Sequence, residues 1–345
     1  MSPTTPAFPS RLPNVGTTIF TVMSALATQH KAVNLGQGFP DFDCDPKLVD
    51  GVTTAMQQGH NQYPPMPGVP ALRQAIAAKI EAVYARQYSA DTEITITAGA
   101  TQAILTAILC CVGPGDEVIV LEPCYDSYVP NIELTGATVV RVPLTPGTFR
   151  PDFDKIGAAL SSKTRAIIIN SPHNPSGTVW SSEDMRRLDE LLAPTNVLVI
   201  SDEVYEHMVY APLRHESVAR YPGLAARSFI VSSFGKTYHV TGWKVGYVAA
   251  PAALMAEFRK VHQFNVFTVN TPMQYGLAAY MQNPAPYLEL PAFYDAKRQL
   301  FRDGLANTKF RLLPCEGTYF QCVSIADPAV PERDLPDADF CQWLT

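Results

Sequence analysis

Five polar clusters in this 345-residue chain each follow a β-branched run, and their residue types could share one site. Lys236 follows SFIVS (228–232) through Ser233-Phe234-Gly235. A partly desolvated lysine has a lowered pKa and can form an imine with an aldehyde. Asp202 directly follows VLVIS (197–201), with Val204-Tyr205 just beyond. A carboxylate carried there needs a cation, because burying it unpaired is costly. The other clusters are Ala98-Gly99-Ala100-Thr101-Gln102 after EITIT (93–97), Glu122-Pro123-Cys124-Tyr125 after EVIVL (117–121), and Ser171-Pro172-His173-Asn174-Pro175 after AIIIN (166–170).

Each cluster alone has a plainer explanation. Lys236 could be a surface lysine, Asp202 a helix cap, Tyr125 a core residue and Asn174-Pro175 a turn. His173 reads as a structural hydrogen-bonding residue. One ligand accounts for the set together. Pyridoxal phosphate has an aldehyde for Lys236 and a protonatable ring nitrogen for Asp202, so that the ring can draw electrons from a substrate's Cα. A helix opening near Ala100, with Thr101 and Gln102 in its first residues, offers backbone N–H groups to the phosphate. Thr101 and Ser233 add hydroxyls, and Lys244 adds charge. Tyr125 could stack on the ring, while Asn174 and Tyr205 could bond its 3′-oxygen.

The elements that must position these residues alternate along the chain. With TVVRV (138–142) and VGYVAA (245–250) the β-branched runs number seven, several apolar throughout as in strands buried on both faces. Helical stretches lie between them at 100–112 and 182–192, the second with an acidic first turn. The pattern predicts an α/β fold, a seven-stranded, mostly parallel sheet with helices on both faces. Ligands of such sheets bind beyond the carboxyl ends of the strands, where the five clusters fall.

Further helices are expected at 252–262, 271–281 and 292–307, then short strands around 311–314 and 317–324. The expected division is an N-terminal arm and part of a small domain (1–45), a large domain (46–285), and a small α+β domain (286–345). The last residues, ADFCQWLT, read as an amphipathic helix without a cap or polar tail, so the small domain is expected to be incomplete. Pro3, Pro6, Pro9 and Pro13 discourage regular structure at the start.

The stretch SSFGKTYHVTGWKVGY (232–247) resembles the cofactor-lysine signature of the class I/II aminotransferases of fold type I. SPHNPSG (171–177), DEVYEH (202–207) and EPCYDSY (122–128) stand in that family's order and spacing, and the match runs from about Leu35 onward. LGQGFPDF (35–42), NQYPPMPG (61–68) and PCEGTYF (314–320) are most similar to the bacterial methionine aminotransferases, relatives of the kynurenine aminotransferase/glutamine transaminase K group. The resemblance implies transamination between an L-amino acid, methionine favoured, and a 2-oxo acid. Catalysis would fall to Lys236, Asp202 and Tyr205, with ping-pong kinetics. It implies a homodimer with shared active sites: Tyr63 would reach the partner's cofactor phosphate, and Phe267 and Thr268 would line the neighbour's substrate pocket. Gly38 and Phe39 would border the substrate, and Asn170 and Asn174 would help hold its carboxylate. The family's carboxylate-binding arginine has no matching segment here; Arg311 precedes the expected region and is not nominated.

Other functions find less support. The net charge is −6 with no Lys/Arg block, which argues against a nucleic-acid partner. No apolar run reaches membrane-spanning length, and MSPTTPAFPS does not read as a signal peptide. Seven scattered cysteines, without a CxxC pair, suggest a reducing cytoplasm and no zinc site. TAGATQA is not the GxGxxG turn that a nicotinamide enzyme would use. A β-lyase acting on cysteine conjugates or cystathionine would share Lys236 and the cofactor. A cofactor-binding regulatory protein would want a fused DNA-binding segment, which the sequence does not show.

Overall fold

Seven strands form one sheet: β1 (Ile94–Thr97), β2 (Glu117–Glu122), β3 (Thr138–Pro143), β4 (Thr164–Asn170), β5 (Leu198–Asp202), β6 (Ser228–Ser233) and β7 (Gly246–Ala249). Their order is β1-β7-β6-β5-β4-β2-β3, and β7 alone runs against its neighbours, giving the mostly parallel α/β sheet expected. The computed structural model describes residues 9–36, 38–325 and 337–345. Pro3 and Pro6, expected to lie in irregular chain, fall outside the described residues, as does Gln37 of the LGQGFPDF stretch.

Strand alternation builds the two faces, because successive side chains point to opposite sides. Val118 and Val120 of β2, Ala166 and Ile168 of β4, and Phe229 and Val231 of β6 join one buried cluster. Ile119, Leu121, Ile167, Ile169 and Ile230 join the other. Both faces are therefore dry, which is why these strands read as continuous apolar runs.

The first helices are α1 (Ile19–His30), α2 (Pro46–Gln57), α3 (Pro70–Tyr84), α4 (Gly99–Cys111), α5 (Tyr128–Glu133), α6 (Phe153–Ala159) and α7 (Ser182–Leu192). Then come α8 (Pro222–Ala225), α9 (Phe234–Thr237), α10 (Ala252–Asn265), α11 (Thr271–Tyr280), α12 (Ala285–Leu288), α13 (Leu290–Leu305) and α14 (Asp337–Leu344). Ala103, Ile104, Ala107 and Ile108 of α4 pack on one sheet face with Met255 and Phe258 of α10. Leu72, Ile76 and Ile80 of α3 pack on the other, with Met185 and Leu188 of α7. The cap of α7 is Ser181: its hydroxyl accepts from the Asp184 N–H, and the Asp184 carboxylate accepts from the Ser181 N–H. Helix α13 begins before the expected Ala292 because Pro291 fits a first turn, where its missing N–H costs nothing.

The late strands are shorter than the sequence suggested. They are β8 (Arg311–Leu312) and β9 (Val323–Ser324), an antiparallel pair. Gly317 instead bridges Val209, and the Glu316 and Gly317 N–H groups donate to the Gly177 carbonyl. These bonds dock 316–320 against the strand-end loops of the main sheet.

Register decides which residues meet. Asn170 lies opposite Asp202, and both Thr97 and Ser233 lie opposite Gly246. The carboxyl ends of β1, β4, β5 and β6 thus share one edge with the amino end of the reversed β7, which brings Lys244 there. Under this edge Glu206 is buried with Lys79 at 2.7 Å, and its carboxylate also accepts from Ser232, Tyr84 and Tyr247. Burial alone would push its carboxyl up. Lys79, His207 and the hydrogen bonds outweigh that and hold it well below the usual carboxylate range.

Lys79→Met leaves that carboxylate buried without its cation, and the expected loss of stability is about 3–5 kcal/mol. Urea unfolding followed by circular dichroism checks it; an unchanged midpoint would show the pair to be dispensable.

Candidate active site

A cavity of about 300 Å³ opens at this edge, at the small end of the roughly 300–1,000 Å³ of small-molecule sites. Ala100, Thr101, Tyr125, Asn170, Asn174 and Asp202 line it. So do Tyr205, Ser233, Lys236 and Lys244, together with Gly38 and Phe39 from the N-terminal region. All five strand-end clusters therefore meet in one place.

Asp202 ends β5, only 4% exposed. Its carboxylate accepts from the Tyr128 hydroxyl at 2.6 Å and the Val204 N–H at 3.2 Å. Burial raises its pKa to about 6, against the pull of these bonds and of Lys236. Among the described residues it has no ion pair, so a buried carboxylate faces the cavity without a bonded cation. Lys236 sits in the short helix α9 directly after β6. Its amine donates to the Gly38 carbonyl at 2.7 Å and to the Tyr319 hydroxyl at 2.8 Å. Burial lowers its pKa from 10.5 to about 8; Asp202 opposes that shift and Lys244 adds to it.

The other end of the cavity suits an anion. The Gly99, Ala100 and Thr101 N–H groups open α4, where no intrahelical acceptor exists for them. Gly99 has φ +77, and a Cβ there would lie 3.3 Å from Lys244 Nζ, so the lysine crosses this turn closely. Lys244 is itself left-handed at φ 55, a strained conformation for a residue with a side chain, and its side chain has no hydrogen-bond or ion-pair partner among the described residues. Thr101 Oγ1 lies 3.5 Å from the Tyr125 hydroxyl.

These observations fit pyridoxal phosphate. The unpaired buried carboxylate suits a protonated ring nitrogen, the amine an aldehyde, and the helix opening with Lys244 a phosphate. Asn174 and Tyr205 border the same cavity.

Several candidates sit differently from their expected places. Gln102 does not line the cavity: its oxygen accepts from the Ala98 N–H and its nitrogen donates to Thr106, so its side chain fastens the helix opening rather than facing a ligand. Asn170 lines the cavity, but its oxygen accepts from the Asn174 N–H at 2.7 Å and its nitrogen donates to the Asp202 carbonyl at 2.9 Å. It orients the two residues beside it. Tyr63, Phe267 and Thr268 lie outside the cavity lining; Tyr63 is 80% exposed with its ring edge-on to Phe267 at 5.3 Å. His173 is structural, bonded to Ser176 and the Pro123 carbonyl, and burial lowers its pKa to about 4.

Sequence reasoning missed Tyr128 and Tyr319, the direct partners of Asp202 and Lys236, and Phe20 and Phe320 in the lining. Tyr128 and Tyr319 sit inside the EPCYDSY and PCEGTYF stretches, which offered a signal without a role.

The model of the family "Aminotransferase class I and II" matches residues 30–342. The chain is 52% identical to the methionine aminotransferase of Escherichia coli, over 97% of this chain and 86% of that protein. It is 34% identical to kynurenine–oxoglutarate transaminase 3 of Rattus norvegicus, over 97% and 79%. Its structure superposes with TM-score 0.95 on an Escherichia coli protein whose crystal structure and reactivity identify a methionine aminotransferase function, at 52% identity over 98% of this chain and 88% of that one. On N-succinyldiaminopimelate aminotransferase of Mycobacterium tuberculosis the TM-score is 0.89, at 42% identity over 92% and 83%.

The site's electrostatics predict how the Lys236 amine reacts in the cofactor-stripped chain. Only the neutral amine attacks a small electrophile, so labelling of Lys236 should rise with pH through an apparent pKa of about 8. Asp202→Asn removes the charge that favours the ammonium form, so the apparent pKa should fall further. Peptide mass spectrometry against pH checks both; a wild-type value near 10.5, the ordinary lysine value, would contradict the burial argument.

Proposed function

The chain belongs to the class I and II aminotransferases, and we propose that the cavity between Lys236 and Asp202 is where it moves an amino group from an L-amino acid to a 2-oxo acid. The carrying observation is that a lysine with a lowered pKa and a buried carboxylate without a bonded cation line one cavity. The enzyme is a pyridoxal-phosphate-dependent aminotransferase.

When bound, pyridoxal phosphate supplies an electrophilic aldehyde and a ring that withdraws electrons from the substrate's Cα. The chain's own groups do the rest. Lys236 would hold the cofactor and, once free, take the Cα proton on Nζ. With a pKa of about 8, about one amine in ten is neutral at pH 7, against about one in three thousand for an ordinary lysine. Asp202 would keep the ring nitrogen protonated, oriented by Tyr128 and the Val204 N–H. Tyr205 and Asn174 would bond the 3′-oxygen. Thr101, Ser233, Lys244 and the α4 opening would hold the phosphate. One cavity must admit amino acid and 2-oxo acid in turn, so steady-state plots should be parallel.

Methionine is the favoured donor. The name of the 52% identical relative supports it, as does the apolar lining by Phe20, Phe39, Ile104, Val204 and Phe320. Apolar pockets discriminate modestly, so aromatic or glutamine-like side chains should also enter. A homodimer with shared sites is supported by the exposure of Tyr63, Phe264 and Phe267 and by that of Ile19 and Val22 of α1. Tyr63, Phe267 and Thr268 would then serve the neighbouring cavity. The seven free thiols support a cytoplasmic setting.

Mixing the purified enzyme with methionine should change the cofactor spectrum, and a 2-oxo acid should restore it. Lys236→Ala should abolish turnover, and Asp202→Asn should slow the first half-reaction by about 100-fold or more. Pyruvate and ammonia released from cystathionine without any acceptor acid would replace this reading with a β-lyase.

The dimer predicts a sedimenting mass of twice 37.7 kDa. A monomer that retains full activity would remove the shared site.

A further inference from the structure

Lys236 is not left to solvent in this cavity: its nitrogen is one corner of a closed triangle of hydrogen bonds. It donates to the Gly38 carbonyl at 2.7 Å and to the Tyr319 hydroxyl at 2.8 Å, and Tyr319 donates to that same carbonyl. The corners come from three parts of the chain, namely the N-terminal region, the segment after β6 and the 316–320 segment. Tyr319 packs edge-on to Tyr205 at 5.6 Å and against Phe320 at 5.0 Å, so its ring has little freedom. Gly38 is fitted closely to it: a Cβ at 38 would fall 2.9 Å from Phe320 Cζ and 3.2 Å from the Tyr319 hydroxyl. Burial keeps the Tyr319 phenol well above its ordinary pKa, so it acts as a neutral hydroxyl.

We propose that Tyr319 is a positioning residue for Lys236, its hydroxyl braced on the Gly38 carbonyl so that it holds the amine in the cavity whenever that amine carries a proton. This rests on the role of Lys236 proposed above. The hydroxyl can only accept from the lysine, because its own proton is committed to Gly38. A neutral amine could make both bonds, but a charged donor makes them stronger, so the triangle favours the ammonium form and fixes the direction in which that form lies. The charged groups acting on the same nitrogen are Asp202 from β5 and Lys244 beside the α4 opening. The Tyr205 ring, 5.7 Å away, and the Tyr319 ring, 5.5 Å away, add their faces.

The test is Tyr319→Phe, which keeps the ring packing and removes the one hydroxyl. In the cofactor-stripped chain the apparent pKa of Lys236, read by pH-dependent labelling and peptide mass, should drop by the equivalent of roughly threefold to tenfold in proton affinity, the scale of one hydrogen bond. In the holoenzyme the pH profile of the single-turnover rate with methionine should move to lower pH in step with the labelling pKa, because the neutral amine that takes the Cα proton then forms at lower pH, while the KM for methionine holds. Gly38→Ala pushes the carbonyl away from Tyr319 and should shift the labelling pKa in the same direction. Should both variants label with the wild-type pKa, the proposal is overturned. The underlying role of Lys236 fails separately: borohydride reduction of the holoenzyme would then fix the cofactor to some residue other than Lys236.

Discussion

A carboxylate buried at the end of a strand must find positive charge or give up its own. Asp202 is held in that condition. Tyr128 and the Val204 N–H satisfy its oxygens and stop short of neutralising it. Its raised pKa is the sign of a demand that remains unmet by protein groups alone. In the function proposed here the cofactor's protonated ring nitrogen would answer that demand, and the position of the ring would then determine where the aldehyde, the phosphate and the substrate lie.

Glu206 shows that the demand is a matter of partners and not of burial. It stands four residues beyond Asp202 and is equally dry, yet its carboxyl is driven down where that of Asp202 is driven up. Lys79 at 2.7 Å makes the difference, with hydroxyls from Ser232 and Tyr247. Glu206 is thus a structural charge, tying α3 to the ends of β6 and β7. The same sheet edge carries one carboxylate tied into the scaffold and one that faces the cavity without a bonded cation.

Much of this was legible along the chain. The seven β-branched runs became the seven strands, several of them apolar throughout because a strand covered on both faces excludes water from every side chain. Reversal of β7 could not be read from VGYVAA, since a buried strand has the same composition in either direction. That reversal nevertheless places Lys244 beside the α4 opening. Gln102 and Asn170 were recognised as polar residues near the site, but their side chains proved to be committed to backbone groups. A list of residue types does not say which amide is already satisfied.

The sequence by itself determined the strands, the residues at their carboxyl ends and the family motifs, since these depend on local period and on short spacing. Only the tertiary structure decided the partners: Tyr128 with Asp202 across 74 residues, Tyr319 with Lys236 across 83, and Gly38 with Lys236 across 198. Such contacts follow from sheet register and the docking of distant segments, which leave no periodic trace in the chain. The charge state of each buried group follows from those contacts, and so was settled at the same level.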